Sequence, residues 1–551
     1  MFKNPIISGF YPDPSICRVE DDFYIVNSSF SYFPGIPIFH SRDLVNWRQL
    51  GHVLDRKSQL PLNYKMISGG IFAPTIRYHQ GIYYVITTNM SMGCVNFVVT
   101  ADNPAGPWSE MHIIEGADGI DPSLFFDEDG SCYYTGTTRF EENGESKQGI
   151  WCSRIDIGSF KLVGERKIIG AGAQIDAHSP EGPHIYKKDG WYYLMIAEGG
   201  TEHYHAVTIS RSKEIFGPYE NYQGNPILTH RHLGKNYPIC NVGHGDLVEL
   251  KDNSWYMVLL GSRLMDGYHK ILGRETFLVP VTWEDGWPVI AGGKVEGEYP
   301  KPKLSEYKMT GEGCQIFEDC RLDNFDKENL GAEWNYLGTP YEEIVKLEGG
   351  FLKLKLIKNS LVPWEYHNTK ADVFKRIQAG IEEKECAAFV GRRQQHMQFE
   401  AETALHFTPV EEEKAGIVIL QNDANQVRLE VARDEEQKMV IRCVKVISHI
   451  DGEGVQHFKE EVLGEEAVKE TVEETEAFTL GMIGKGTKYS FYRKNQSGSR
   501  MMIAEEVDCG FLGSETAGGF VGAYIGMFAE RGEATKSRYA RFGYFRYDGK
   551  K

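Results

Sequence analysis

The sequence predicts an all-β chain, a five-bladed β-propeller followed by an antiparallel β-sandwich. Three observations carry that expectation. One segment pattern recurs five times up to about Pro300, the recurrence then stops, and the remainder turns to short alternating strands separated by Gly and Asn-Asp turns. A length of 551 residues exceeds one ordinary core, since about 100–200 residues per domain is usual. Two units is the simplest division.

The repeats run in order. DPSICRVEDDFYIVNSS starts at Asp13 and turns at Glu20-Asp21-Asp22; APTIRYHQGIYYVITTN starts at Ala73 and turns at Gln80-Gly81. DPSLFFDEDGSCYYTGT from Asp121 turns at Asp129-Gly130, EGPHIYKKDGWYYLMIAEG from Glu181 at Asp189-Gly190, and HGDLVELKDNSWYMVLLG from His244 at Asp252-Asn253. Each is an apolar strand, a polar turn and a second strand beginning at or near an aromatic pair, which is the pattern of a β-hairpin. Between hairpins, SRDLVNW (41–47), TADNPAGPW (100–108) and SRSKEIFGPY (210–219) echo one another and are expected as further strands. A hairpin plus two strands every ~50–60 residues is the unit of a propeller blade. A sandwich with chance echoes does not explain why the aromatic pair returns to one place five times.

The propeller is assigned to residues 1–303, and KPKLSEYKMTGEGCQIFED reads as a linker, placed at 304–320. From 321 to 551, the runs RLDNFDKENLGAEWNY, GGFLKLKL and AGIVILQNDANQVRLEVARD indicate the sandwich. Acidic stretches such as Glu465–Glu476 are expected as solvated loops or edges. No second catalytic constellation is visible in this half.

Composition narrows the function. The chain is 41% hydrophobic, 25% charged and 12% aromatic with 29 Tyr, values of a folded β-rich protein with surfaces suited to sugars. A formal net charge of -18 disfavours nucleic acid or an acidic membrane surface, so a neutral substrate is expected. The N-terminus lacks a basic region followed by an apolar one, and no stretch is apolar for the length a bilayer needs. Ten cysteines are scattered without CxxC spacing and are expected as reduced thiols of a cytoplasmic protein. Self-association is left open.

In a propeller, the first strand of each blade lines the central channel, so equivalent repeat positions face one axis. The opening position carries Asp13, Ala73, Asp121, Glu181 and His244. Asp before Pro is a common turn, which explains any one acid but not a ring of them. Such a cluster serves either a hard cation or acid–base chemistry. No DxDxDG calcium loop is present, whereas glycoside hydrolysis needs two facing carboxyl groups, one protonated and one ionised. A third carboxylate would raise the acid's pKa by like-charge repulsion.

The runs GFYPDPSI, SSFSYFPGIPIFHSRDLVNW, SGGIFAPTIRY, IDPSLFFDEDG, SPEGPHIYKKDGWYYLMIAEGGT, GHGDLV and GRETFLVPVTWEDGWPV together resemble the catalytic propeller of glycoside hydrolase family 43. The resemblance spans Asn4 to about Lys303 and is strongest to β-xylosidase and α-L-arabinofuranosidase members that carry a C-terminal concanavalin-like sandwich. It implies Asp13 as general base, Glu181 as general acid and Asp121 as the carboxylate that orients and tunes the acid. It further implies inversion of configuration and exo-action on xylo- or arabinoxylan-derived oligosaccharides. Arg274 falls on the family's sugar-hydroxyl donor, and Phe30 and Phe72 fall on aromatic positions that wall the sugar pocket. Phe72 departs from the pattern, since many xylosidase members have Trp there, and this leaves arabinofuranosides open beside xylopyranosides. His244 falls on the central-channel metal position. No cofactor is required, and a divalent cation such as calcium at His244 stays open because no companion ligands are evident. An endo-arabinanase would leave the cleft open at both sides. An invertase-type fructan hydrolase would open with an NDPNG-like run, and a glycan-binding propeller would not need three axial acids.

Overall fold

A computed structural model of the chain describes residues 1–62, 66–174, 178–306, 320–340, 344–370, 386–468, 477–531 and 538–550. Most of the expected linker, 307–319, and residues 469–476 of the acidic run lie outside the described residues.

The five repeats fold as five antiparallel sheets, each built on a path of four strands. The first strands are Ser15–Val19, Ile71–His79, Ser123–Phe126, Glu181–Lys188 and Ile239–Glu249. Each pairs with the next strand in the expected hairpin, closing at Val19 with Asp22, His79 with Ile82, Phe126 with Cys132, Lys188 with Trp191 and Glu249 with Trp255. Gln80-Gly81 and Asp189-Gly190 have φ of 48° and 89°, and of 51° and 71°, the paired positive values that match a two-residue turn to strand twist. The first strand of every blade touches that of the next, and the fifth touches the first, so the ring closes. Its two ends are fastened beside blade five, where Phe2–Lys3 pairs with Glu298–Tyr299 and Ile7 bridges Thr276.

One expectation fails. SRDLVNW, TADNPAGPW and SRSKEIFGPY are not strands but the turns between third and fourth strands, which end at Ser41, Ala101 and Ser212 and resume at Arg48, His112 and Glu220. The Asp43 carboxylate accepts the amides of Val45 and Asn46, and the Asn103 side chain accepts that of Ala105. Such local bonds compete with strand pairing, and they outweigh the apolar residues that suggest a strand.

The C-terminal half is a two-sheet sandwich. One sheet orders the strands Val345–Leu347, Leu352–Lys355, Tyr539–Lys550, Gln398–His406, Phe478–Lys485, Lys488–Lys494 and Arg500–Asp508. The facing sheet runs from Thr369–Lys370 through Val455–Ala467, Met439–Ile450, Asn425–Arg433, Lys414–Asn422, Tyr524–Glu530 and Phe389–Arg393 to Asn335–Leu337. The described acidic residues Glu465 and Glu466 belong to the second strand of that path, near the sheet edge, and Glu466 pairs with Arg493.

The two halves are interlocked. Tyr32–Phe33, an excursion from blade one, pairs with Asn335–Leu337 and so becomes an edge strand of the sandwich. Met265, Ile271 and Leu272 of blade five join the sandwich core. Arg393 donates to the Phe10 carbonyl at 2.6 Å and lies over the Tyr11 ring at 4.3 Å, while Tyr32 stacks on Tyr524 at 3.8 Å. Burial of this kind, on the order of 25 cal/mol per Å² of apolar surface, fixes the sandwich over one face of the propeller.

Candidate active site

The ring of acids begins with unusual backbone. Asp13 and Asp121 have φ of 51° and 56° although each precedes a proline. Aspartate enters that region in ordinary turns, as Asp189 does, but a residue before proline is pushed toward extended backbone, so here the surroundings hold it. In blade four the register shifts between Glu181 and His184, and Gly182 takes φ 57°. A Cβ at Gly182 would sit 2.9 Å from the His244 ring, which is why glycine stands there. His244 itself has φ 44°, between register shifts in blade five. Bulges of this sort re-aim side chains.

The outcome is one pocket, with about 370 Å³ of empty space including its opening to solvent, lined by all five repeat-opening residues: Asp13, Ala73, Asp121, Glu181 and His244. Phe30, Phe72 and Arg274 also line it.

The three carboxyl groups differ in electrostatics. Burial raises the pKa of Asp13, but Arg274, His244 and a hydrogen bond from Ser28 outweigh it and hold the group below its ordinary value. Arg274 Nη1 donates to Asp13 Oδ1 at 2.9 Å, Ser28 Oγ donates to Oδ2 at 2.6 Å, and His244 Nδ1 lies 3.9 Å from Oδ1. Glu181 goes the other way: burial and then the charge of Asp13 push it up to about 7, against a lowering by Arg274. Asp121 is raised by burial, by Glu181 and by Asp13, although it accepts the Gly182 amide at 3.1 Å. Asp121 and Glu181 thus titrate as one unit in which the first charge formed opposes the second. The expected source of repulsion on Glu181 was Asp121; the structure puts Asp13 in that role, and the repulsion between Asp121 and Glu181 falls on Asp121 instead.

Phe30 and Phe72 are both buried and meet at 5.0 Å. A third ring, Phe520, reaches in from the sandwich, 6.1 Å from Phe30 and 5.9 Å from Phe72. It is held by its own backbone: Arg274 Nη2 donates to the Phe520 carbonyl at 3.0 Å, and its amide donates to Ser68 Oγ at 3.0 Å. Arg274 therefore holds Asp13 and the Phe520 wall together. Phe520 was missed in the sequence because only the adjacent Gly518-Gly519 signals a turn there, and nothing local connects it to Arg274, about 250 positions away, or to Phe30 and Phe72, more than 440 away. Ile120 and Thr201 complete the lining and were likewise unmarked.

His244 offers one ring nitrogen close to Asp13, whose oxygens are already taken by Arg274 and Ser28. Among the described residues no group of three or more His, Cys, Asp or Glu side chains could hold a metal ion. The donor set does not fit a directly ligated cation, and no step below passes through one.

Comparison with known proteins agrees with the geometry. Residues 2–288 match the model of glycosyl hydrolases family 43, and residues 322–548 match the β-xylosidase C-terminal concanavalin A-like domain. The chain is 43% identical to a xylosidase/arabinosidase of Butyrivibrio fibrisolvens over 98% of both chains. It is 36% identical to a non-reducing end α-L-arabinofuranosidase of Bacteroides ovatus, over 99% of this chain and 94% of the other. The crystal structure of a xylan β-1,4-xylosidase from Bacillus halodurans superposes with a TM-score of 0.86 at 33% identity and covers 100% of both chains. With its axial carboxylates in one pocket and both of its halves matched, the chain belongs to glycosyl hydrolase family 43.

Proposed function

We propose that the protein is an exo-acting, inverting glycosidase that releases xylose, arabinose or both from the non-reducing ends of xylo-oligosaccharides or arabinoxylan-derived oligosaccharides. The observation that carries this is the split in one pocket between an ionised Asp13 and a protonated Asp121–Glu181 pair. Glycoside hydrolysis needs that division of labour, and inversion follows the family resemblance, in which the ionised carboxylate acts on water rather than on the sugar. Asp13 takes a proton from water as the water oxygen bonds to the anomeric carbon. The glycosidic bond breaks, and Glu181 gives its proton to the departing oxygen. Asp121 keeps the acid oriented, burial and the charge of Asp13 keep its pKa high, and the Phe30, Phe72 and Phe520 rings exclude water around the sugar.

Closure by Phe520 supports exo-action, because a pocket walled by the second domain admits a chain end rather than a chain middle. The names of the relatives support both glycones, and Phe72, in place of the Trp of many xylosidase members, is consistent with keeping both. Membership of this family supports the inverting reading over an invertase-type one. Cys17, Cys94, Cys132, Cys152, Cys240, Cys443 and Cys509 are free and six of these seven are buried, which supports work in a reducing compartment such as the cytoplasm. No described helix is long and apolar enough to cross a membrane.

The test is Asp13→Asn assayed on nitrophenyl β-D-xylopyranoside and α-L-arabinofuranoside. A folded variant should lose at least about 100-fold in turnover on whichever substrate the wild type cleaves. Wild-type turnover would remove Asp13 from the mechanism, and the wild-type ratio of kcat/KM between the two substrates measures the glycone preference.

A further inference from the structure

Beneath the acid ring, all five inner strands are joined by a buried polar network to which the chemistry above assigns no task. Its centre is Asp246, fully buried and two residues beyond His244. Asp246 Oδ2 accepts Ser15 Oγ at 2.7 Å, the Ile16 amide at 3.0 Å and Arg77 Nη1 at 2.8 Å, and Oδ1 accepts the Tyr186 hydroxyl at 2.7 Å. Arg77 Nη2 donates to His184 Nδ1 at 2.9 Å, and Ser123 Oγ lies within hydrogen-bond distance of the same nitrogen at 3.1 Å. Blade one contributes Ser15, blade two Arg77, blade three Ser123, blade four His184 and Tyr186, and blade five Asp246.

The placement follows the acid ring. Ser15 lies two residues beyond Asp13 and Ser123 two beyond Asp121, while His184 lies three beyond Glu181, across the register shift. The Ser15–Asp246 bond ties the strand of the base to blade five, and the Ser123–His184 bond ties the strand of Asp121 to that of Glu181. A buried ion pair is weak evidence for stability, since packed apolar side chains hold strands as tightly. What directional bonds add is fixed geometry.

We propose that this network is a positioning device, with Ser15 and Asp246 fixing the strand that bears the base and Ser123 and His184 fixing the spacing of Asp121 and Glu181. The proposal rests on the base and acid assignments above. Asp246→Asn would leave the buried Arg77 without its anion and tests folding as much as position, so the informative variants are Ser123→Ala and Ser15→Ala. Nitrophenolate departs without much protonation, so a misplaced acid is felt mainly on natural linkages, whereas a misplaced base is felt on both. Ser123→Ala should lower kcat about tenfold on xylo-oligosaccharide but less than about threefold on the nitrophenyl glycoside, with KM unchanged, given that about 1 Å of misplacement costs up to 100-fold. Ser15→Ala should lower kcat equally on both. Wild-type kcat in either variant, or an equal loss on both substrates in Ser123→Ala, overturns the proposal. Glu181→Ala serves as the reference: its own loss should be biased toward the oligosaccharide, and an unbiased loss there would overturn the acid assignment as well.

Discussion

Arg274 is the residue whose removal has the most calculable effect. Its guanidinium lowers the pKa of Asp13, of Asp121 and of Glu181, and it stands 2.9 Å from Asp13. Arg274→Met keeps much of the bulk and removes the charge, so all three carboxyl groups should rise together. An opposite charge within about 4–6 Å lowers a carboxyl by about 1–3 units, so the acidic limb of the pH–kcat/KM profile, set by Asp13, should climb by about that much. The alkaline limb, near pH 7 in the wild type because Glu181 is held at about 7, should climb less, since burial and Asp13 dominate that group. Both limbs therefore move in one direction and the bell narrows from its acid side. Stability follows the same sign. A carboxylate with a depressed folded pKa stabilises above its unfolded pKa and loses that contribution as pH falls through the folded value. Leaving Asp13 buried without its cation costs about 3–5 kcal/mol, so the Tm deficit of the variant should be full at neutral pH and shrink below about pH 4. Arg274→Lys keeps the charge but not the fork that reaches both Asp13 and the Phe520 carbonyl. It should leave the acidic limb within about half a unit of wild type and raise KM. An unmoved acidic limb in Arg274→Met would refute the electrostatic argument.

Other consequences are as direct. Glu181→Gln removes a group whose folded pKa is raised, which destabilises the folded state as pH rises from the ordinary carboxyl value toward 7; its Tm relative to wild type should therefore be higher at pH 8 than at pH 4, by the equivalent of about 2–3 kcal/mol. Phe520→Ala opens the wall supplied by the sandwich; KM should rise about tenfold, with kcat on the nitrophenyl substrate less affected, and a wild-type KM would remove Phe520 from the pocket. Ser28→Ala deletes one donor to Asp13, and its acidic limb should rise by less than that of Arg274→Met, about half a unit.

Most of the propeller was legible because its repeat carries the same physics five times: an apolar strand, a polar turn and an aromatic pair. The ring of Asp13, Ala73, Asp121, Glu181 and His244 followed from repeat position alone and lines one pocket. What stayed hidden is long-range or local in ways that a pattern does not record. Phe520 meets Phe30 and Phe72 only through docking of the two halves. Tyr32–Phe33 sits inside a blade-one run yet completes a sandwich sheet. Asp43 and Asn103 turn the chain where apolar neighbours suggested strands. Asp246 stood in plain view in GHGDLV, but its role depends on Arg77 and Tyr186 from other blades.

Stereochemistry tests the central claim most directly, because an inverting enzyme uses its ionised carboxylate as a base on water, whereas a retaining enzyme with the same two protonation states uses it as a nucleophile on the sugar. Proton NMR of the first product released from a β-D-xyloside should show α-xylose before mutarotation mixes the anomers, or, for an α-L-arabinofuranoside, the β-anomer. Retained configuration in the first-formed sugar would contradict the account and turn one of these carboxylates into a nucleophile.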